Sequence, residues 1–143
     1  MTIETILRTK GSDVFSVGPG IDATAIAEAL AQHRIGAVLV RDTDGTILGI
    51  VSERDIVRAI ARGHTVALAQ TARDLMTADL ITVAPSTRIA EALSLMTNHR
   101  CRHLPVMEDG RLVGMVSIGD LVKARIAEAE HEAESLRAFV TAA

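Results

Sequence analysis

Apolar positions recur along this chain with two periods, and the switch between them lays out its elements. Ile3, Ile6 and Leu7 share one helical face, and Gly11 is a helix stop. Val14 to Val17 reads as a strand, ended by Gly18-Pro19-Gly20. Ala23, Ile26, Ala27 and Leu30 recur at three, four and seven, the mark of a helix with one apolar face. Ala37 to Val40 is a buried strand and Ile47 to Val51 its return. Between them, Asp44-Gly45 predicts a two-residue hairpin turn with positive φ at both central positions. Ser52 opens a second helix, from Asp55 to about Arg62, which Gly63 closes. His64 to Thr71 reads as a linker, and Thr71 with Asp74 as a capping box for a one-turn helix through Met76.

The pattern then starts again. Leu80 to Val83 predicts a strand, and Ile89, Ala92, Leu93 and Met96 repeat the helical stripe. Leu104 to Met107 and Leu112 to Val116 form a second hairpin around Asp109-Gly110, and Asp120 starts the last helix. One tempting register is wrong. Ile26-Ala27-Glu28-Ala29-Leu30 reappears letter for letter at Ile89 to Leu93, but that alignment sets Pro19 against Thr82 and displaces the stripes. With Pro19 against Pro85, His33-Arg34 meets His99-Arg100 and Val40 meets Val106. After the hairpin the offset shortens by one, so the first turn carries an extra residue. Two β-α-β-β-α units in tandem follow. In the last helix, Val122, Ile126, Ala129, Ala133, Leu136 and Val140 form a heptad-like seam, suited to its own domain or to a partner helix.

The two units share more than hydropathy. Gly49-Ile50-Val51-Ser52-Glu53-Arg54-Asp55 returns as Gly114-Met115-Val116-Ser117-Ile118-Gly119-Asp120. Each copy follows a hairpin and precedes a helix, and Leu104-Pro105-Val106 precedes the second. With these motifs the chain resembles a pair of CBS domains, the tandem modules named after cystathionine β-synthase, over roughly Val14 to Arg125. The resemblance implies an α/β (α+β) fold of two tandem repeats, with a short N-terminal and a long C-terminal helix. The boundaries are 1–12 for the first helix, 13–64 for repeat one, 65–78 for the linker and short helix, 79–127 for repeat two, and 128–143 for the extension of the last helix. It also implies a homodimer of CBS pairs, with AMP, ADP, ATP, NAD or S-adenosylmethionine held in clefts between the repeats.

The residues carry their own chemistry. A carboxylate such as Asp55 can accept from both ribose hydroxyls at once. Ser52 sits at a helix start, where free N–H groups suit a phosphate. Ser117 and Asp120 repeat the pair. The same spacing is also a capping box, which needs no ligand. The copies differ: Glu53-Arg54 in one, Ile118-Gly119 in the other. Arg54 can bind phosphate bidentately. Arg58 and Arg62 extend its stripe, Arg62 reading best as a solvated face, and Arg102 lies just before the second hairpin. By position, the resemblance assigns adenine contacts to Thr82, Val83, His103 and Leu104 in one cleft, and to Ser16, Val17, Ala37 and Val38 in the other. The apolar members also read as ordinary core. Pro105 matches the family's strand, whereas repeat one has Leu39.

Composition narrows the function. Net charge is −3 and there is no Trp or Tyr, which argues against a nucleic-acid face with stacking platforms. A single cysteine fits a reducing compartment, and the absence of a signal pattern or an apolar run of spanning length points to a cytoplasmic protein. His99-x-Cys101-x-His103 looks metal-like, but Cys101 occupies the slot of Ile35 and reads as a buried apolar group. His131-Glu132 lacks the second His of a zinc-protease helix, and no nucleophile-base set or Walker loop appears. The expectation is a regulatory sensor, not an enzyme, with no catalytic cofactor and no metal. It would bind an adenine nucleotide and pass its occupancy through a homodimer to an unknown protein partner. The alternative is a ligand-free interaction protein acting through its dimer surface and C-terminal helix.

Overall fold

The computed structural model describes residues 1–142. The chain forms two compact units: Val14–Leu80, and Met1–Asp13 joined to the chain from Ile81 onward.

In the first unit, β1 (Ser16–Val17) pairs parallel to β2 (Ala37–Arg41), and β2 pairs antiparallel to β3 (Ile47–Ser52). Helices α2 (Ala23–His33) and α3 (Glu53–Gly63) follow β1 and β3. The expected linker is instead a 3-10 helix, His64–Ala69, leading to α4 (Ala72–Leu75). The core is aliphatic: Ile26, Leu30, Val38, Val40, Val51, Ile56 and Ala72. With almost no aromatics available, branched side chains fill it.

In the second unit, α5 (Ile89–His99) precedes the hairpin of β4 (His103–Glu108) and β5 (Arg111–Ser117), and α6 (Ile118–Ala142) ends the chain. Helix α1 (Ile3–Lys10) packs in this unit, burying Ile3 and Ile6 beside Ile89, Leu104, Val116 and Leu121. Fully burying such side chains is worth about 1.5–3 kcal/mol each, so α1 is a structural part of the unit.

The two units use one plan. Ala72 N donates to Ile21 O and Arg73 N to Pro19 O; at matching places Ile3 N donates to Thr87 O and Glu4 N to Pro85 O. The segment at 70–77 therefore straps the first unit as 1–8 straps the second. The straps lie against glycines. A Cβ on Gly49 would come within 2.7 Å of Thr77 O and 2.8 Å of Met76 Sδ, and one on Gly114 within 2.6 Å of Leu7 Cδ2. Each returning strand also carries a bulge, between the pairs Val40–Gly49 and Arg41–Ile47, and between Val106–Gly114 and Met107–Leu112.

Two local expectations are corrected. Asp109 and Gly110 both take positive φ, at 52° and 75°, as a two-residue turn requires. In the first hairpin only Gly45 does, at 88°. Gly45 N donates to Asp42 O and Asp42 N to Thr46 O, giving a three-residue loop, Thr43 to Gly45. That is the extra residue inferred from the offset. The second difference is the strand expected at Leu80 to Val83, of which only Val83 pairs, parallel to Val106. In the first unit Leu39 N donates to Phe15 O. Its counterpart is Pro105, which has no N–H to give Ile81, so the parallel pairing shrinks to one bridge.

Candidate functional site

Both Ser-x-x-Asp motifs lie where a returning strand becomes a helix. The strand register sets each against a residue assigned to the adenine side: Ala37 pairs with Ser52, and His103 with Ser117. The sequence folds this way because the serine is extended (Ser52 φ −104°, ψ 163°) and caps the helix behind it.

The capping is reciprocal in both copies. Asp55 N donates to Ser52 Oγ at 3.3 Å, while Asp55 Oδ2 accepts from Ser52 N at 2.8 Å and from the Ser52 hydroxyl at 3.0 Å. Asp120 N donates to Ser117 Oγ at 3.2 Å, and Asp120 Oδ2 accepts from Ser117 N at 2.8 Å. Each bond that either carboxylate accepts here ends on Oδ2. The caps fix both carboxylates in one orientation near a positive helix end.

The helix starts offer a phosphate less than expected. Glu53 N donates to Gly36 O and Ile118 N to Arg102 O, each at a first helical position. With the third amides bonded to serine hydroxyls, the amides of Arg54 and Gly119 are what remains of the first turn.

The copies differ in electrostatics. Lys10 Nζ, from α1, donates to Asp120 Oδ2 at 2.7 Å and to Met115 O at 2.9 Å. Burial pushes the Asp120 carboxyl up, but the hydrogen bond from Lys10, the Ser117 amide and the Lys10 charge outweigh it and leave it below the usual carboxylate value. Among the described residues no lysine or arginine pairs with Asp55. Asp55 instead borders an open hollow of about 390 Å³ with Arg58, Arg62, Val66, Gln70 and Asp74.

The other expected site residues divide by exposure. Ser16, Thr82 and Arg102 are exposed, and Arg54, Val17 and His103 are partly buried. Ala37, Val38, Val83 and Leu104 are buried, and the last three are core side chains. Their backbones, not their side chains, are what a ligand could meet. Cys101 packs against the core and burial pushes its thiol up, as suits an apolar slot. Among the described residues no group of three or more His, Cys, Asp or Glu is placed to hold a metal ion. Sequence reasoning missed Lys10, 110 positions from Asp120 and marked by no local pattern.

Comparison with known proteins bears on this arrangement. The profile of the CBS domain matches residues 3–62 and 72–127. The chain belongs to the CBS domain family. Its CBS pair superposes on a CBS-domain containing protein from Agrobacterium tumefaciens with a TM-score of 0.85 and 42% identity, covering 87% of this chain and 92% of that one. The mitochondrial CBS domain-containing protein CBSX3 of Arabidopsis thaliana is 35% identical over 97% of this chain and 71% of its own length. A CBS domain pair from protein MJ0100, solved with 5′-methylthioadenosine and S-adenosyl-L-methionine, shares the fold at a TM-score of 0.78 and 22% identity, over 90% of this chain and 98% of that one. No helix among the described residues is long and apolar enough to cross a membrane.

Proposed function

We propose that this CBS pair is a non-catalytic sensor that binds an adenine nucleoside or nucleotide at the Ser52/Asp55 and Ser117/Asp120 motifs, and signals occupancy through a homodimer to a protein partner. The observation that carries this reading is the doubled cap. Each aspartate is anchored through Oδ2, so its second oxygen, Oδ1, can accept a ribose hydroxyl without rearrangement. Preorganised acceptors of this kind raise affinity because little ordering remains to be done on binding. Arg54, Arg58 and Arg102 are candidate phosphate contacts, and the backbones around Ser16, Ala37, Thr82 and His103 candidate adenine contacts. The ligands of the MJ0100 pair are both adenosine derivatives, the class this reading expects.

AMP, ATP, NAD and S-adenosylmethionine at millimolar concentration test it through thermal melting. A ligand at 100 times its Kd stabilises the folded state by about 2.7 kcal/mol, which moves the Tm of a domain this size by several degrees. Asp55→Ala combined with Asp120→Ala should abolish the shift while the protein stays folded.

A second reading has its own observation. On α6, Ile126, Leu136, Phe139 and Val140 are exposed. This stripe suits an interaction protein with empty sites. No Tm shift with any ligand, together with loss of self-association on truncation after Ala129, would favour it over the sensor.

A further inference from the structure

We infer that the two ligand positions are unequal receptors because Lys10 acts as a built-in occupant of the Asp120 position. The inference rests on the nucleoside-binding reading and adds the order in which the positions fill.

Lys10 Nζ stands 2.7 Å from Asp120 Oδ2 and 2.9 Å from Met115 O. The ammonium thus bridges the carboxylate to the strand that leads into it. Helix α1 carries Lys10 as its last residue and is pinned by the burial of Ile3 and Ile6, so the ammonium is delivered by a fixed element. A ribose hydroxyl that competes for this carboxylate offers a neutral donor. A hydrogen bond from an ammonium is roughly twice as strong as one from a neutral group. Lys10 holds Oδ2, so a hydroxyl that uses Oδ1 alone meets a carboxylate whose charge the ammonium already offsets, and a ligand that would use both oxygens must displace Lys10.

The first unit has no such device. Leu7 meets Gly114 as Met76 meets Gly49, which sets Lys10 opposite Asp79 in the second strap. Helix α4 ends at Leu75, so no helix carries that strap as far as Asp79, and Asp79 is an exposed acid. In the register of the straps an acidic residue takes the place of the lysine. Among the described residues no ammonium or guanidinium pairs with Asp55, which borders the open hollow that Arg58 and Arg62 also line. The Asp55 position fills first, and Lys10 is the residue that sets the gap.

Calorimetric titration of the full chain with AMP, and separately with S-adenosylmethionine, tests this. The wild type should show two affinities, the tighter lost in Asp55→Ala and the weaker in Asp120→Ala. Lys10→Met should tighten the weaker one about tenfold and leave the tighter one unchanged. Lys10→Gln, which keeps a polar head without the charge, should fall between. Equal affinities in the wild type overturn the inference. So does weaker binding of AMP by Lys10→Met, which would make Lys10 a phosphate contact; in neither case is the nucleoside reading harmed. No binding of either ligand by wild type or Lys10→Met removes the nucleoside reading and this inference with it. Lys10 is partly exposed, and a circular dichroism spectrum with cooperative melting like that of the wild type reports that each variant is folded.

Discussion

At the scale of single residues, the chain's two signature glycines do one job against different neighbours. Gly49 faces a carbonyl oxygen, Thr77 O, which cannot move without its strap; Gly114 faces the tip of Leu7, which can rotate. Overpacking of this kind typically costs about 1–3 kcal/mol, whereas an off-rotamer side chain costs about 0.5–1.5 kcal/mol. Gly49→Ala should therefore lower the denaturant midpoint more than Gly114→Ala does. The Lys10–Asp120 pair gives a second expectation at this scale. Its carboxyl lies lower folded than unfolded, so the pair stabilises the fold above the unfolded value of ~3.9 and ceases to do so as pH falls through the lowered folded value. Lys10→Met should lower stability near neutral pH by roughly 1 kcal/mol at most, since the pair is partly exposed. Urea melts of the two proteins should converge in acid. Much at this scale was legible: a serine three places before an aspartate announces a helix start from local spacing alone. That spacing also fits a ribose contact, and both uses share one carboxylate.

At the scale of elements, helices were easier to read than strands. The stop at Gly11 was visible as a glycine, whereas Gly63, expected to close α3, is its last residue and His64 caps it at φ 51°. Arg34 and Arg100, which end α2 and α5 in the left-handed region at φ 53° and 52°, carried no such sign. The strand before α5 failed because its pairing depends on a donor that Pro105, over twenty residues away, cannot supply. A hairpin was expected at Asp44-Gly45 with two loop residues; the loop has three, Thr43 to Gly45, and the sign of the extra residue was the repeat offset, not the turn dipeptide. The least legible pairing was that of α1, because nothing near Ile3 or Ile6 says which repeat they enter. Deleting residues 1–11 removes two buried isoleucines, at most about 3–6 kcal/mol of burial, against typical domain stabilities of about 5–15 kcal/mol. Hydrogen exchange should then rise through α5, β4 and β5, while α2 and β2 keep their protection.

At the scale of the whole molecule, the repeat is the main fact. The internal register carried the family resemblance and the equivalence of the two caps, because each half is an independent record of one plan. What it hid is how the halves diverge. Lys10 against Asp79, Leu39 against Pro105, and a three-residue turn against a two-residue one are single positions, yet each changes bonding. The placement of α1 also bears on synthesis. The stretch Val14–Leu80 is contiguous and has its own core as soon as it is made. Lys10 must wait 110 further residues for its carboxylate, on the order of ten seconds at a ribosome adding about 5–20 residues per second. During that interval α1 keeps its greasy side uncovered until α5, β4, β5 and the start of α6 have been made.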